Sequence, residues 1–396
     1  MSKLVRLDDI AEVVRGVTFS REVSVDMPLD GYVPVLRAGN IQEGVLILED
    51  DLVWVPESFV SANQLLRKND LVMCTSSGSA EVVGKVAPFL SSEWRGSFGA
   101  FCAVIRPITD KCDPSYLKHF LQSDGFLRWA RQSLGANIKN IRKSEMESFE
   151  LQLPTLEEQK RIAAILDKAD SLRRKRAQAI ALADDFLRAT FLDMFGDPVT
   201  NPKGLIKVRL DSICDVGSSK RVFLEELKES GVPFYRGTEI GQLGDRRGVD
   251  PTLFIAEEHY ARLKSEAGVP KRGDLLLPSI CPDGRIYVVD TEEKFYFKDA
   301  RVLWIKVNGS NIDSLYLRWF LKLLFASEYS KIASGTTFAE LKIFALKQLE
   351  VCLPPIDVQR HFAKVVNSTE RLLERYEQSS QFHDQLSMSF QHGSLG

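Results

Sequence analysis

One short run of acidic and basic residues could hold a metal ion and cleave a phosphodiester bond. Pro282-Asp283 is followed by Glu292-Glu293-Lys294. This order is typical of metal-dependent nucleases, in which carboxylates hold magnesium and a lysine activates water. The spacing is loose, and the first half of the chain has no equivalent. A self-contained nuclease that uses Asp283, Glu292 and Lys294 is therefore kept as the alternative function.

Signatures of other catalytic sites are missing from the sequence. No Gly-x-x-x-x-Gly-Lys-Ser/Thr phosphate loop occurs. The only Pro-Pro pair, Pro354-Pro355, follows leucine and opens a helix, so the Asn/Asp-Pro-Pro strand end of a DNA methyltransferase is absent. The five histidines lack paired acids, and the six cysteines form no Cys-x-x-Cys pair. These signatures therefore reveal no cofactor or metal site apart from the loosely spaced nuclease pattern.

Polar and basic side chains in predicted loops could instead meet DNA. Arginine and asparagine can pair bidentately with guanine and adenine in the major groove, whereas serine, threonine and lysine mainly fix register on phosphates. The candidates in the first half of the chain are Arg37, Asn40, Ser76, Ser77, Ser79, Asn137, Lys139, Asn140, Arg142 and Lys143. The candidates in the second half are Arg236, Thr238, Ser279, Arg285, Thr336 and Thr337.

The overall charge does not by itself favour a nucleic-acid partner. The formal net charge is −2, so a DNA-binding chain would have to place its basic residues on one face and its acidic residues elsewhere. The one strong basic run, Arg173-Arg174-Lys175-Arg176, is interpreted as a solvated helix face in preference to a phosphate contact.

The candidate loops belong to two copies of one unit. Val5-Arg6-Leu7-Asp8-Asp9-Ile10 returns as Val208-Arg209-Leu210-Asp211-Ser212-Ile213. From Tyr116 onward the offset between matching residues is 200, so Tyr116 and Gln159 recur as Tyr316 and Gln359. Because the matches are ordered and share one frame, we predict a tandem duplication.

Each copy begins with a head of mixed strands and helices. Short apolar runs bounded by turn residues predict strands, and the stretches 116–122 and 316–324 are predicted to be helical. This predicts an α+β fold with a curved sheet in each head. The predicted strands are 45–48, 70–75 and 101–105, with 275–277, 286–289 and 302–305 as their equivalents.

Each copy ends in a long helix. Thr155 is a suitable N-cap with Glu158 three residues later, and Gly196 followed by Asp197-Pro198 supplies the stop. A helix over 155–195 would be about 60 Å long, and a second should run from after Pro355 to about Gln391. The predicted division is a first head at 1–152, a first helix segment at 153–197, a second head at 198–352 and a second helix segment at 353–396.

An apolar stripe on so long a helix must be covered, and the sister helix is the favoured partner in an antiparallel, coiled-coil-like pair with a pseudo-two-fold. The alternative is two separate helices, each lying on its own head. The predicted seam consists of Ile162, Leu166, Ala169, Ile180 and Leu187 on the first helix and Phe362, Val366, Leu372, Tyr376 and Leu386 on the second.

Composition sets the remaining expectations. The 396 residues suffice for two or more domains, and the hydrophobic content of 44% is ordinary for a globular protein. No apolar run approaches a membrane span, and the first residues lack a signal-peptide core. The cysteine pattern fits reduced thiols. We therefore expect a cytoplasmic protein.

The segment from Leu153 to Ile162, with its continuation to Pro198, resembles the helix entry of specificity subunits of type I restriction-modification systems. The second entry, Leu353-Pro354-Pro355-Ile356-Asp357-Val358-Gln359, is similar but matches more loosely. The turns at Gly135 and Gly335, each about 18 residues before a Leu-Pro pair, also look like that family. The resemblance covers the whole architecture, and it is specific in the helix entries and weak in the heads.

This resemblance implies that each head is a target-recognition domain for half of a bipartite, asymmetric site on double-stranded DNA. The helices would set the gap between half-sites and dock two modification subunits, which bind S-adenosylmethionine. An ATP- and Mg-dependent restriction subunit could join them, and this chain would be non-catalytic and hold no cofactor. Besides the nuclease, a third possibility is a scaffold whose heads bind protein instead of DNA. Salt-dependent binding to a long duplex would distinguish heads that bind DNA from heads that bind protein.

Overall fold

The structure, a computed structural model, describes residues 2–79, 81–132, 140–335 and 339–394, with side chains described up to Tyr376 in the last helix. The chain forms two compact units. One comprises Met1–Arg176 with Glu377–Gly396, and the other comprises Ala177–Tyr376. No helix in the described residues is both long enough and apolar enough to cross a membrane.

The first unit is built on a four-stranded antiparallel sheet. Its strands lie in the order Ala11–Arg15, Cys102–Pro107, Leu71–Cys74, Val86–Pro88. A two-stranded sheet pairs Lys3–Arg6 with Glu150–Leu153, and another pairs Ile41–Gln42 with Val45–Leu46. A three-stranded sheet contains Val53–Pro56, Tyr32–Leu36 and Ser97–Phe98. The helices are Leu7–Ile10, Pro114–Leu121, Asp124–Gln132, Lys143–Glu147 and the first half of the first long helix, Leu156–Phe195.

The second unit repeats this plan. Its central sheet has the order Asp215–Gly217, Val302–Lys306, Leu275–Pro278, Tyr287–Val288. Lys207–Arg209 pairs with Glu350–Cys352. A further sheet contains Leu227–Lys228, Phe254–Ile255, Val232–Tyr235 and Tyr296–Phe297. The helices are Leu210–Ile213, Gly237–Gly244, Glu257–Ala267, Ser314–Ile332, Ile343–Gln348 and the second long helix, Ile356–Ser394.

The strands Leu71–Cys74 and Leu275–Pro278 are apolar throughout because both faces of each central sheet are covered. In the strand Leu71–Cys74, Leu71 and Met73 belong to one apolar cluster, and Val72 and Cys74 belong to another. Leu275 and Leu277 likewise face one cluster while Leu276 faces another. Side chains alternate between the faces of a strand, so a buried sheet needs an unbroken apolar run. The predicted mixed fold with two tandem heads is confirmed.

The strand predictions need one correction. The strand Tyr287–Val288 takes the place that Val86–Pro88 holds in the first sheet. It is therefore not the equivalent of 45–48, where the structure has only the short strand Val45–Leu46. The error arose because Val86–Pro88 is only three residues long and carries too little pattern to identify.

The two helix entries share one buried polar clamp. In the first unit the side-chain oxygen of Gln159 accepts from the backbone N–H of Asp113 at 2.9 Å, and its amide donates to the carbonyl of Pro154 at 2.9 Å. In the second unit Gln359 makes the same bonds, from Asp313 at 2.9 Å and to Pro354 at 2.7 Å. Gln159 and Gln359 are 1% and 0% exposed, so these bonds fix each long helix to its own head out of reach of water.

Replacing Gln359 with alanine should lower the free energy of unfolding of the second unit by about 2–3 kcal/mol. The substitution strands the buried N–H of Asp313, and nothing replaces the lost bonds to the carbonyls. Chemical denaturation of the full chain measures the effect, with Gln178→Ala as control because that glutamine is exposed. Equal stabilities of the two variants would contradict the clamp.

Candidate nucleic-acid interface

The first head brings several predicted residues to one end of its central sheet. The carbonyl of Phe101 accepts from the N–H of Thr75 at 2.9 Å and from that of Ser76 at 3.1 Å. The carbonyl of Thr75 accepts from the N–H of Ile141 at 2.9 Å, and Ser76 forms an antiparallel bridge with Asn140. Ser76 and Asn140 are therefore neighbours although they are far apart in sequence, and Phe101 joins them with its side chain 66% exposed.

The second head repeats two of these backbone hydrogen bonds at the same end of its sheet, although Glu340 forms its antiparallel bridge with Ser334. The carbonyl of Arg301 accepts from the N–H of Ser279 at 2.8 Å, and the carbonyl of Ser279 accepts from the N–H of Leu341 at 2.7 Å. Ser279 itself is only 4% exposed, which leaves its hydroxyl unable to reach DNA. The exposed chemistry at this end comes from Arg301, paired with Glu340, and from Lys342, whose ammonium lies 2.5 Å from Glu340.

Arg37 and Asn40 lie together, but only one of them can face a ligand. Asn40 is 1% exposed, and its side chain accepts from the N–H of Arg37 at 2.7 Å and donates to the carbonyls of Ile47 at 3.0 Å and Asp50 at 2.7 Å. A base contact by Asn40 does not fit this burial, because its hydrogen-bonding groups hold the loop together. Arg37 stays exposed, paired with Asp51.

The second head places Arg236 and Arg285 in ion pairs at its surface. Arg236 lies against Glu239, and this partner raises the pKa of the Arg236 guanidinium. Arg285 lies 2.7 Å from Asp283. Thr238, in the helix between Arg236 and Glu239 in sequence, is exposed. Arg236 and Arg285 remain candidates because exchanging an exposed ion pair for a phosphate or a base costs little free energy. Thr238 remains a candidate because it is exposed.

The other predicted residues are spread along the loop after Cys74 and the segment around the Lys143–Glu147 helix. The Ser77 hydroxyl accepts from the N–H of Ser79 at 3.2 Å, so the two shape one turn. Arg142 is exposed, and Lys143 lies 3.5 Å from Glu147. Asn137, Lys139, Thr336 and Thr337 lie outside the described residues, as does the side chain of Leu386.

The nuclease residues are engaged separately. Asp283 pairs with Arg285 at 2.7 Å, and Lys294 pairs with Glu257 at 2.8 Å. Within the part of the chain that the structure describes, no three His, Cys, Asp or Glu side chains form a group able to hold a metal ion. Asp283 and Lys294 thus pair with different residues and not with each other. No similar protein points to a nuclease.

The first half of the first long helix packs on the first head. Ile162 and Leu166 are 1% and 2% exposed and belong to the apolar cluster of that head. Their place in a helix-pair seam stays a prediction, because the side chains of the second helix beyond Tyr376 are not described. Ala169 is also buried, at 6% exposed. Beside them, burial disfavours the Asp167 carboxylate, but hydrogen bonds from His119, Lys118 and Ser115 outweigh it and hold the pKa of Asp167 well below its usual range.

The second half of the same helix packs in the core of the second unit, together with the start of the second long helix. The ring of Phe362 lies 5.4 Å from that of Phe191 and 5.6 Å from that of Phe195, centroid to centroid. Leu187 and Val366 belong to the same cluster. The two long helices therefore share one core in this unit, although Ile180, Leu372 and Tyr376 of the predicted seam are 42%, 66% and 39% exposed.

Two basic residues of the helix Ser314–Ile332 form ion pairs with the long helices beside this core. Arg318 donates to the carbonyl of Gly244 at 3.1 Å and to Glu370 of the second long helix at 3.4 Å. Burial and the nearby Arg246 guanidinium lower the pKa of Arg318 to about 10, so it stays charged at neutral pH. Lys322 pairs with Asp184 of the first long helix. Both long helices are thus tied to the helix Ser314–Ile332 by ion pairs.

Sequence reasoning missed the exposed residues at the sheet ends. Phe101 was placed in a predicted strand, and Arg301 and Glu340 were not singled out. Phe101 carries no polar group, so a search for hydrogen-bonding side chains passes over it. The signal that could have found these residues is the repeat. The offset of 200 aligns Asn140 with Glu340, and its extension back from Tyr116 aligns Phe101 with Arg301.

Comparison with known proteins decides the family. The model of the type I restriction modification DNA specificity domain matches residues 2–182 and again residues 202–381. The chain belongs to this family. The resemblance seen in the helix entries is confirmed, and each of the two matches covers one head with most of the long helix that follows it.

Two relatives and one solved structure illustrate the match. The chain is 36% identical over 189 residues to the type I restriction enzyme StySPI specificity subunit of Salmonella potsdam, an alignment covering 46% of this chain and 39% of that subunit. It is 24% identical over 373 residues to a putative specificity subunit of Haemophilus influenzae, covering 92% and 87%. The S subunit structure from M. genitalium has a TM-score of 0.64 at 16% identity, covering 99% and 95%, and shows the same fold.

Proposed function

We propose that this chain is the non-catalytic DNA-specificity subunit of a type I restriction-modification complex. Each head reads one half of a bipartite, asymmetric site on double-stranded DNA. The observation that carries the proposal is the double match to a DNA specificity domain within one chain. Support comes from the two sheet ends, which share two backbone hydrogen bonds and carry unlike exposed side chains, as two readers of different sequences need.

In this proposal the long helices set the gap between the half-sites and dock two modification subunits, and restriction subunits can join. S-adenosylmethionine, ATP and magnesium bind to those partners, and the complex works in the cytoplasm. The segments 153–197 and 353–396 act as the spacer, while 1–152 and 198–352 act as readers. The exposed or half-exposed candidates for contact with DNA remain Arg37, Ser76, Ser77, Ser79, Asn140, Arg142, Lys143, Arg236, Thr238 and Arg285.

Binding of the full chain to a duplex that contains its site should weaken steeply as salt rises. Each neutralised phosphate contributes a slope of about −0.9 to the log–log plot of affinity against salt concentration. Arg142→Ala should reduce the magnitude of that slope by about 1 if the exposed guanidinium contacts a phosphate. Fluorescence anisotropy over a salt series measures both quantities.

Arg161→Ala is the control, because Arg161 lies on the long helix and pairs with Glu158 at 2.6 Å. That variant should keep the slope of the unchanged chain. Binding that is insensitive to salt, or no binding to any duplex, would refute the proposal and favour heads that bind protein.

A further inference from the structure

The two sheet ends differ in chemistry while sharing two backbone hydrogen bonds. Phe101 and Arg301 both follow a turn and precede the first residue of a central strand, Cys102 or Val302. Their carbonyls accept from Thr75 and Ser279 at 2.9 and 2.8 Å, and those residues in turn accept from Ile141 and Leu341. The side chains at 101 and 301 are therefore presented from equivalent positions of the two heads.

Exposure alone does not single out Phe101. Leu90 is exposed to 65%, against 66% for Phe101, and isolated apolar residues are common at protein surfaces. What distinguishes Phe101 is its position among Ser76 and Asn140 and its correspondence to a charged residue in the other head. Scaffold residues such as Gln159 and Gln359 are the same in both copies. A residue that differs between the copies at a position with shared backbone hydrogen bonds therefore indicates a role in discriminating between base pairs.

The first sheet end suits an A·T pair. The exposed ring of Phe101 can make an apolar contact with the C5 methyl group of thymine, and an asparagine such as Asn140 can bond bidentately to adenine. Phe101 and Asn140 are joined through Ser76, which donates to the Phe101 carbonyl and bridges Asn140.

The second sheet end suits a G·C pair. Arg301 can donate to O6 and N7 of guanine, and Glu340 can accept from N4 of cytosine. Glu340 pairs with Arg301, and Lys342 lies 2.5 Å from its other oxygen, so the donors and the acceptor are already in one place. Arg301 is 62% exposed at its side chain, and ion pairs so exposed exchange partners readily.

We propose that Phe101 with Asn140 specifies an A·T pair in one half-site, and that Arg301 with Glu340 specifies a G·C pair at the corresponding position of the other. The inference rests on the proposed function, since it assigns base readers within heads that bind DNA. It makes Phe101 and Arg301 specificity-determining residues. They occupy equivalent positions in the two heads, and one is apolar while the other is charged.

The test is selection of duplexes from a random-sequence library by the full chain and by Phe101→Ala and Arg301→Ala. Phe101→Ala should relax one A·T position in one half-site, and Arg301→Ala one G·C position in the other half-site. At those positions the preference should fall by between about 5-fold and 150-fold, the range for a lost base contact. All other positions and the gap should stay unchanged.

Leu90→Ala and Lys306→Ala are the matched controls. Leu90 follows the strand Val86–Pro88, whose last residue pairs with Leu71, at the opposite end of the sheet from Phe101. Lys306 is the last residue of the strand that begins beside Arg301. Both controls should select the same sequences as the unchanged chain.

A chemical probe separates contact from a structural role. Replacing the thymine at the Phe101 position with uracil removes only the methyl group, and it should weaken binding of the unchanged chain but not of Phe101→Ala. Failure of the unchanged chain to select any common sequence would overturn the proposed function. A clear bipartite selection that Phe101→Ala and Arg301→Ala leave intact, or relaxation at a base pair of the other kind, would overturn only this inference.

Discussion

Replacing Phe362 with alanine should lower the free energy of unfolding of the second unit by about 3–5 kcal/mol. Phe362 is fully buried, and its ring contacts Phe191 and Phe195 of the first long helix edge to face. The ring of Trp319 lies 6.3 Å away on a third helix. Removing the Phe362 ring would leave a cavity among three helices that cannot all close upon it. The loss should therefore combine the transfer free energy of the ring with the cost of that cavity.

Hydrogen exchange measured by mass spectrometry on the full chain can assign this loss to the correct part of the molecule. Peptides from the helix Ser314–Ile332 should exchange faster in Phe362→Ala, whereas peptides from Leu71–Cys74 in the first unit should not change. Phe344→Ala is the control because Phe344 is 74% exposed, and it should have little effect. Equal exchange in the two variants would mean that the helices do not depend on their shared core.

The ends of the first long helix could be predicted from the sequence because local chemistry decides them. Thr155 begins the first long helix as predicted, with the N–H of Glu158 at 3.4 Å from its hydroxyl, and the helix ends at Phe195 before Gly196. Capping preferences and the conformational freedom of glycine are properties of a few adjacent residues, so they can be read without knowing the fold. Gly196 has a φ of 80°, a conformation that favours glycine at a helix end.

The packing partners and burial of a residue could not be predicted where its neighbours come from distant parts of the chain. The 3–4 spacing of Ile162 and Leu166 predicts an apolar face but not its partner, and that partner is the first head. Asn40 is polar and lies between strands, which predicts a surface loop, yet three hydrogen bonds draw its side chain inside. Phe101 was hidden because exposure cannot be seen in one sequence. Only the repeat compensates, since it compares each position with a second copy in the same frame.

Lengthening the first long helix by duplicating residues 177–180 directly after Ile180 should widen the gap between half-sites and leave both half-sites unchanged. The insertion lies between Ile162 and Leu166, which pack in the first unit, and Leu187, which packs in the second. Four helical residues add about 6 Å and a rotation of about 40°. At about 3.4 Å for each base-pair step, the gap should grow by one or two base pairs.

Mapping of modified bases in a host genome that carries the altered chain measures the gap and the half-sites together. Four residues inserted between Met27 and Pro28, in an exposed turn of the first head, are the control and should leave the gap unaltered. A changed half-site with an unchanged gap would contradict the helix as spacer, because a longer rod cannot alter which side chains meet the bases. A changed gap with intact half-sites would mean that distance and sequence are set by separate parts of the chain, since the insertion follows Ile180 in the helix and replaces no residue of either sheet end.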